Sequence, residues 1–267
     1  MSGRVTAHPG QSRCLVPALD AEAKFSSRLS ARSALYTELR LLLDGLDEPF
    51  SATTYRQLVL EKNRLARPSS SSRRKLWKEL RSRYILDRDH PLFSAFWSEW
   101  AHCETEPQCG LTAYVFFALN DRLVADLGTQ WLFPYLRRAP TQILVEDVLG
   151  FIQRAATNHV EVAGWSDETR KSVARHYMAS IRDFGLARGK VKKFTVRPAG
   201  YAAPIRLLIK GLRLAGAKPL EIIQAKIFRL LGLDGSEVID ALGELNRKGD
   251  LLFKIQADVV ELDLEAA

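Results

Sequence analysis

Residues 62–83 hold nine lysines and arginines against a single acid, Glu79, so this window alone carries +8, the same surplus as the whole 267-residue chain. Its cations are Lys62, Arg64, Arg67, Arg73, Arg74, Lys75, Lys78, Arg81 and Arg83, and the serines at 69–72 sit just before the densest part. Ammonium and guanidinium groups are pure donors, and hydroxyls donate readily; together they suit the phosphates of a nucleic acid. A solvated helix face usually mixes signs, because Glu–Lys pairs three or four residues apart help a helix and like charges cost a few tenths of a kcal/mol per pair. A face this one-sided points to a polyanionic ligand, and its chemistry is binding.

Bond-making chemistry finds less support. The sequence has no phosphate-cradling Gly-rich loop, no G-x-S-x-G and no H-E-x-x-H. His102-Cys103 with Cys109 lacks a fourth ligand at a familiar zinc spacing. The three cysteines, Cys14, Cys103 and Cys109, are too few and too irregular for a disulfide framework, which fits a reducing compartment. His159 and His176 read as local hydrogen bonders, and Asp87-Arg88-Asp89 as a turn with solvated acids. Phe93, Phe96, Trp97, Trp100, Phe116 and Phe117 recur at helical spacing and read as core. The expectation is a protein without metal, without cofactor and without enzymatic activity.

The cationic residues need a helix to hold them. Ser69 or Ser70 is a good N-cap after Pro68, and the pattern predicts a helix to Tyr84. Leu76, Trp77, Leu80 and Tyr84 then share one side, while Arg74, Lys75, Lys78 and Arg81 share the other. Arg73 and Arg83 fall near the apolar arc, where they are expected to snorkel or cover its edges. With two shorter helices before it, this is a helix-turn-helix order, in which the N-terminal residues of the last helix reach deepest into a major groove. Those residues are Ser70, Ser71, Arg74 and Lys75, with Lys62, Arg64 and Arg67 flanking on the backbone. Tyr84-Ile85-Leu86 reads as a short strand after the helix.

A second basic set comprises Arg170, Lys171, Arg175, Arg182, Arg188, Lys190, Lys192 and Lys193. It reads equally well as a second contact to a polynucleotide backbone and as a charged surface. Ser166 opens its helix, with Asp167 and Glu168 in the first turn where they complement the dipole, and residues 190–197 look like a strand. Residues 204–214, 220–231 and 236–247 are helical, and 251–255 and 259–264 form strands around Gln256-Ala257-Asp258, the order of a winged helix. Glu237, Asp240 and Glu244 in its last helix make it a weak reader of nucleic acid, with Lys254 available on the wing.

Composition agrees with a folded, mainly α chain: 46% apolar, 26% charged, and long enough to bury a real core. No stretch approaches the roughly 20 apolar residues that span a bilayer. The N-terminus lacks an export signal, since the apolar run at 14–19 is broken by Pro17 and followed by Asp20 and Glu22. A cytoplasmic setting without membrane contact is expected. The predicted organisation is a mobile tail at 1–29, an N-terminal helix-turn-helix or winged-helix unit at 30–90, a central helical bundle at 91–197 and a C-terminal winged-helix-like unit with a β-hairpin at 198–267.

Four stretches carry a family resemblance: Ser30-Ala31-Arg32-Ser33-Ala34-Leu35-Tyr36; the run from Ser70-Ser71-Ser72-Arg73-Arg74-Lys75 to Arg83-Tyr84; Trp165-Ser166-Asp167-Glu168-Thr169-Arg170-Lys171; and Ile181-Arg182-Asp183-Phe184-Gly185-Leu186. In order and spacing the chain resembles BrxA, a component of the BREX bacteriophage-exclusion systems, over about residues 30–198. The resemblance implies an intracellular, non-enzymatic, DNA-binding accessory protein of phage defence, mostly helical with winged-helix units. The expected ligand is double-stranded DNA. RNA binding by the same face on an antitermination-factor-like bundle, or docking of an acidic partner such as another BREX component, are the alternatives.

Overall fold

The computed structural model describes residues 15–257 and 259–264. The first three helices are α1 (Tyr36–Leu43), α2 (Ala52–Leu60) and α3 (Ser70–Tyr84). Serines start two of them: Ser51 Oγ accepts from the Thr54 amide, and Ser69 Oγ accepts from the Ser72 amide while the Ser72 hydroxyl answers the Ser69 backbone. Next come α4 (Pro91–Trp100) and α5 (Glu106–Leu119). Helix α5 is apolar all round, as a helix at the centre of a core must be; Gly110 through Leu119 are all buried. Phe116 stacks on Phe96 with ring centres 4.2 Å apart.

Helix α6 (Arg122–Asp126) runs through a π-helical turn, Leu127–Leu132, into α7 (Phe133–Arg137). Gly128 lies in that turn, where a Cβ would come within 2.3 Å of Leu230 and 2.4 Å of the Tyr114 hydroxyl; the backbone passes too close for any side chain. Strand β1 (Gln142–Ile143), α8 (Val145–Ala155), α9 (Val160–Ala163) and α10 (Asp167–Asp183) follow, then β2 (Ala187–Arg188) and β3 (Lys193–Thr195). These three short strands form one antiparallel sheet in the order β1-β3-β2. The C-terminal part is α11 (Ala202–Leu214), α12 (Pro219–Ile223), a 3-10 turn (Lys226–Leu231), α13 (Ser236–Lys248) and the hairpin β4 (Leu252–Gln256) and β5 (Val259–Asp263).

The chain is mainly helical, as its patterning indicates. One apolar cluster runs from Val16 to Leu262, and the three units read from sequence share it. Helix α11, placed by sequence in the last unit, packs on both α4 and α5. Of the tail expected at 1–29, residues 1–14 lie outside the described residues. The remainder is packed, with Val16, Ala18, Phe25 and Leu29 buried. Apolar residues at 16, 18, 25 and 29 follow no helical or strand period that would announce burial, yet each finds a place on the body. The strand expected at Tyr84-Ile85-Leu86 is absent: Ile85 (φ 62°) and Leu86 (φ 42°) make a left-handed turn that stops α3 and buries Leu86. The central segment, expected as a helical bundle with one strand at 190–197, contains a three-stranded sheet whose β3 falls within that strand, while β1 and β2 were not anticipated. Asp258 of the expected C-terminal turn lies outside the described residues. Among the described residues no helix is long and apolar enough to cross a membrane.

Candidate nucleic-acid interface

Helix α3 divides as its spacing predicts. Leu76, Trp77, Leu80 and Tyr84 are buried, while Ser70, Ser71, Arg74, Lys75, Lys78 and Arg81 are exposed. Lys62, on the turn before the helix, is exposed too. Among the described residues no carboxylate lies within ion-pairing distance of Lys62, Arg74, Lys75, Lys78 or Arg81. Arg74, Lys75, Lys78 and Arg81 thus share the exposed face of α3 with two hydroxyls at its N-terminus, where the dipole also favours anions.

The remaining cations of the window are engaged within the chain or part-buried. Arg64 donates from Nε to the Leu41 carbonyl at 3.2 Å and through its terminal nitrogen to the Asp44 carbonyl, closing the C-terminal end of α1. Arg67 pairs with Glu38 at 2.6 Å. Arg64 and Arg67, expected to flank the backbone, are thus both engaged by groups some 20 to 30 residues away in sequence. Arg73 is half-buried, and its Nε has no acceptor among the described residues. Arg83, expected to snorkel at the edge, is 0% exposed. It donates to the carbonyls of Ser33 (3.0 Å), Arg28 (2.8 Å) and Arg32 (3.0 Å), and pairs with Glu79.

Two further contacts fix the C-terminal end of α3. Asn120 donates to the carbonyls of Ser82 (3.1 Å) and Arg83 (2.8 Å), satisfying groups the helix end leaves without partners. The Tyr84 hydroxyl donates to the Ala34 carbonyl at 2.7 Å. The segment 28–34 also meets α10: the His176 ring lies 2.6 Å from the Leu29 carbonyl, and the Ala34 amide donates to Ser180 Oγ at 2.8 Å. Sequence reasoning missed Asn120, and it marked residues 30–36 as a motif without seeing that this strap ties α3 to α10, since each contact is made to a residue far along the chain.

The second basic set divides in the same way. Arg170 donates to the carbonyls of Val162 and Ala163 and pairs with Asp167, so it ties α9 to α10. Arg175 pairs with Glu168, and Arg182 with Asp183. Lys171, Arg188, Lys190 and Lys192 are exposed, and Lys193 Nζ donates to the Lys190 carbonyl. At the C-terminal end, Glu237 pairs with Arg137, Glu244 with Lys248, and Lys254 with Glu261. That unit presents mixed charge.

The thiols have ordinary surroundings. Burial pushes the Cys103 thiol up to about 12, and Thr112 lies 3.5 Å from its sulfur. His102 Nδ1 lies 2.9 Å from the Ser98 carbonyl. Among the described residues no group of three or more His, Cys, Asp or Glu side chains is placed to hold a metal ion.

Comparison with known proteins finds no curated relative. The family model BrxA matches residues 23–204, about two-thirds of the chain, which takes in the strap, α3, α10 and the β2–β3 hairpin. With the motifs around Ser30, Ser70, Ser166 and Ile181 all inside that match, the chain belongs to the BrxA family of BREX phage-defence proteins.

Proposed function

We propose that this protein is a non-enzymatic, cytoplasmic DNA-binding component of BREX defence that grips duplex DNA by its phosphates through α3. The observation that carries this reading is the open cationic face of Arg74, Lys75, Lys78 and Arg81 beside Ser70 and Ser71, with Lys62 exposed on the preceding turn, all five cations free of carboxylates among the described residues. Helices α2 and α3 act as a helix-turn-helix, with the first turn of α3 in the major groove. Base contacts are then available to Arg74 and Lys75, and phosphates to the rest. Lys171, Lys190 and Lys192 extend the footprint, and the C-terminal winged-helix-like unit, with its paired acids, serves protein contacts with other defence components.

Five phosphate neutralisations give a slope of log affinity against log salt of about −4.5. In a mobility-shift titration at several salt concentrations, Arg74→Ala with Lys78→Ala weakens binding to random duplex DNA and flattens the slope by about 1.8. Unchanged affinity and slope remove α3 from the interface. Tighter binding to hairpin RNA than to duplex DNA at matched salt favours an RNA ligand. Absence of salt-dependent binding to any polynucleotide leaves the docking of an acidic partner protein.

A further inference from the structure

The sheet and the helices between its strands have a distinctive order. Strand β1 is followed by α8, α9 and α10, and the chain returns as the hairpin β2–β3, whose second strand pairs with β1. Helices α8 and α10 pack on one another. A strand, a helix pair and a hairpin that closes back on the strand is the layout in which a β-ribbon stands beside the second helix of a helix-turn-helix.

The hairpin has an anchored base and an open tip. Gln142, Phe194 and Arg188 lie opposite one another across the three strands and are all exposed; Ile143 and Ala187, on the other face, are buried. Thr195 is fully buried. Its Oγ1 accepts from the Thr141 amide at 3.0 Å and donates to the Tyr135 carbonyl at 3.2 Å. At the tip, Gly189 has φ +99°, and a Cβ there would sit 2.0 Å from the Lys192 carbonyl oxygen, so only glycine permits the crossing. Residues 188–193 read Arg-Gly-Lys-Val-Lys-Lys, with four cations and no acid. Among the described residues none of the four meets a carboxylate. Between Lys190 and Lys192, the Val191 side chain is 94% exposed.

We infer that this hairpin is a wing that inserts Lys190, Val191 and Lys192 into the minor groove of duplex DNA. The lysines follow the groove walls, where phosphates of both strands converge, and Val191 meets the sugars and base edges. Arg188 and Lys193 hold the flanking phosphates. A narrow A·T-rich minor groove has the stronger negative potential and accepts cationic and apolar side chains without an exocyclic amino group in the way. The preferred ligand is therefore A·T-rich duplex. The inference rests on the proposed DNA ligand and takes up Lys190 and Lys192 of its footprint, but it uses none of the α3 residues, so the wing and the α3 contact fail separately.

The test uses the full chain and two duplexes of equal length, one A·T-rich and one G·C-rich, across a salt series, with distamycin as a minor-groove competitor. The parent protein binds the A·T-rich duplex more tightly, and distamycin displaces it. Lys190→Ala with Lys192→Ala lowers affinity, flattens the salt slope by about 1.8 and abolishes the preference. Val191→Ser abolishes the preference with the slope unchanged. All these side chains are exposed, and an unaltered melting temperature verifies the fold of each variant. If the double lysine variant binds both duplexes like the parent, the wing is overturned whatever Arg74→Ala with Lys78→Ala does. If the lysine variant is impaired and the α3 variant is not, the wing stands and the α3 reading falls. If the parent binds neither duplex, both fall.

Discussion

Arg83 contributes to the +8 of residues 62–83, yet its guanidinium never meets solvent. It gathers the carbonyls of Arg28, Arg32 and Ser33 and the Glu79 carboxylate, joining the N-terminal strap to the last turn of α3. Removing it orphans three carbonyls and a carboxylate. Arg83→Leu is expected to cost about 3–5 kcal/mol in urea unfolding, and Arg83→Lys recovers only part, because an ammonium cannot reproduce the planar fork. A loss below about 1 kcal/mol would show that the strap holds without it. Asp121 makes a second residue-scale prediction. Burial, its largest influence, raises its carboxyl above the usual range, against the opposing pull of the Ser26 hydroxyl, Arg28 and the amides of Val124 and Leu123. The folded chain then binds this proton more readily than the unfolded chain. Its contribution to stability is accordingly greatest in acid and is lost as pH rises through the window opening near the ordinary value of ~3.9. Asp121→Asn keeps an acceptor for the two amides and removes that titration, so its stability profile should lack this decline. Parallel profiles for parent and variant would refute the assignment.

Helix α3 owes its start to Ser69, whose hydroxyl accepts from the Ser72 amide at 3.1 Å while the Ser72 hydroxyl lies 2.7 Å from the Ser69 carbonyl. The first turn of the proposed interface hangs on this cap. Ser69→Ala should lose about 1 kcal/mol of stability and weaken duplex binding with the salt slope retained, since no cation is removed. Ser69→Asp restores the cap and the stability, but its carboxylate faces the incoming phosphates, so binding stays weak. Equal binding by both variants and the parent would place the first turn away from the ligand. The same element marks what sequence can and cannot reveal. The Ser69 and Ser166 caps, the apolar stripes of α3 and α10 and the C-terminal hairpin were all legible, because capping and periodicity are local. The diversion of Arg64 to the end of α1, the pairing of Arg67 with Glu38 and the burial of Arg83 were not, because each partner lies far along the chain. The left-handed Ile85-Leu86 turn was hidden as well: β-branched and apolar residues favour strand by propensity, and only the tertiary pull on Leu86 overrides it. Of the β1–β3–β2 sheet only β3 was legible, within the strand read at 190–197; β1 and β2, of two residues each, are too short for any period to show.

At the scale of the molecule, the family match ends at Pro204 in the first turn of α11, while the core continues well past it. Leu207, Leu208 and Ile209 of α11 are buried against the body, and a Cβ on Gly211 would stand 3.0 Å from Leu119 of the central α5. Charge reinforces the same junction. Glu99 on α4, 2% exposed, accepts from Arg206 at 2.8 Å and pairs with Lys210, while Arg206 reaches on to Asp250 at 3.0 Å. A buried carboxylate with two cationic partners is stable only while both remain. Cutting the chain after residue 204 would strip α11 from α4 and α5, expose their apolar sides and leave Glu99 buried alone. Such a fragment should show no cooperative thermal transition, although it retains the whole family match. The full chain should unfold in one transition, whether followed by tryptophan fluorescence or by far-ultraviolet circular dichroism. Leu208→Ala, leaving a cavity at the α11 junction, should shift both probes together by about 2–5 kcal/mol. Two separate transitions in the parent, or a fragment melting like the full chain, would mean that the C-terminal quarter is an appendage, and the shared core from Val16 to Leu262 would lose its energetic meaning.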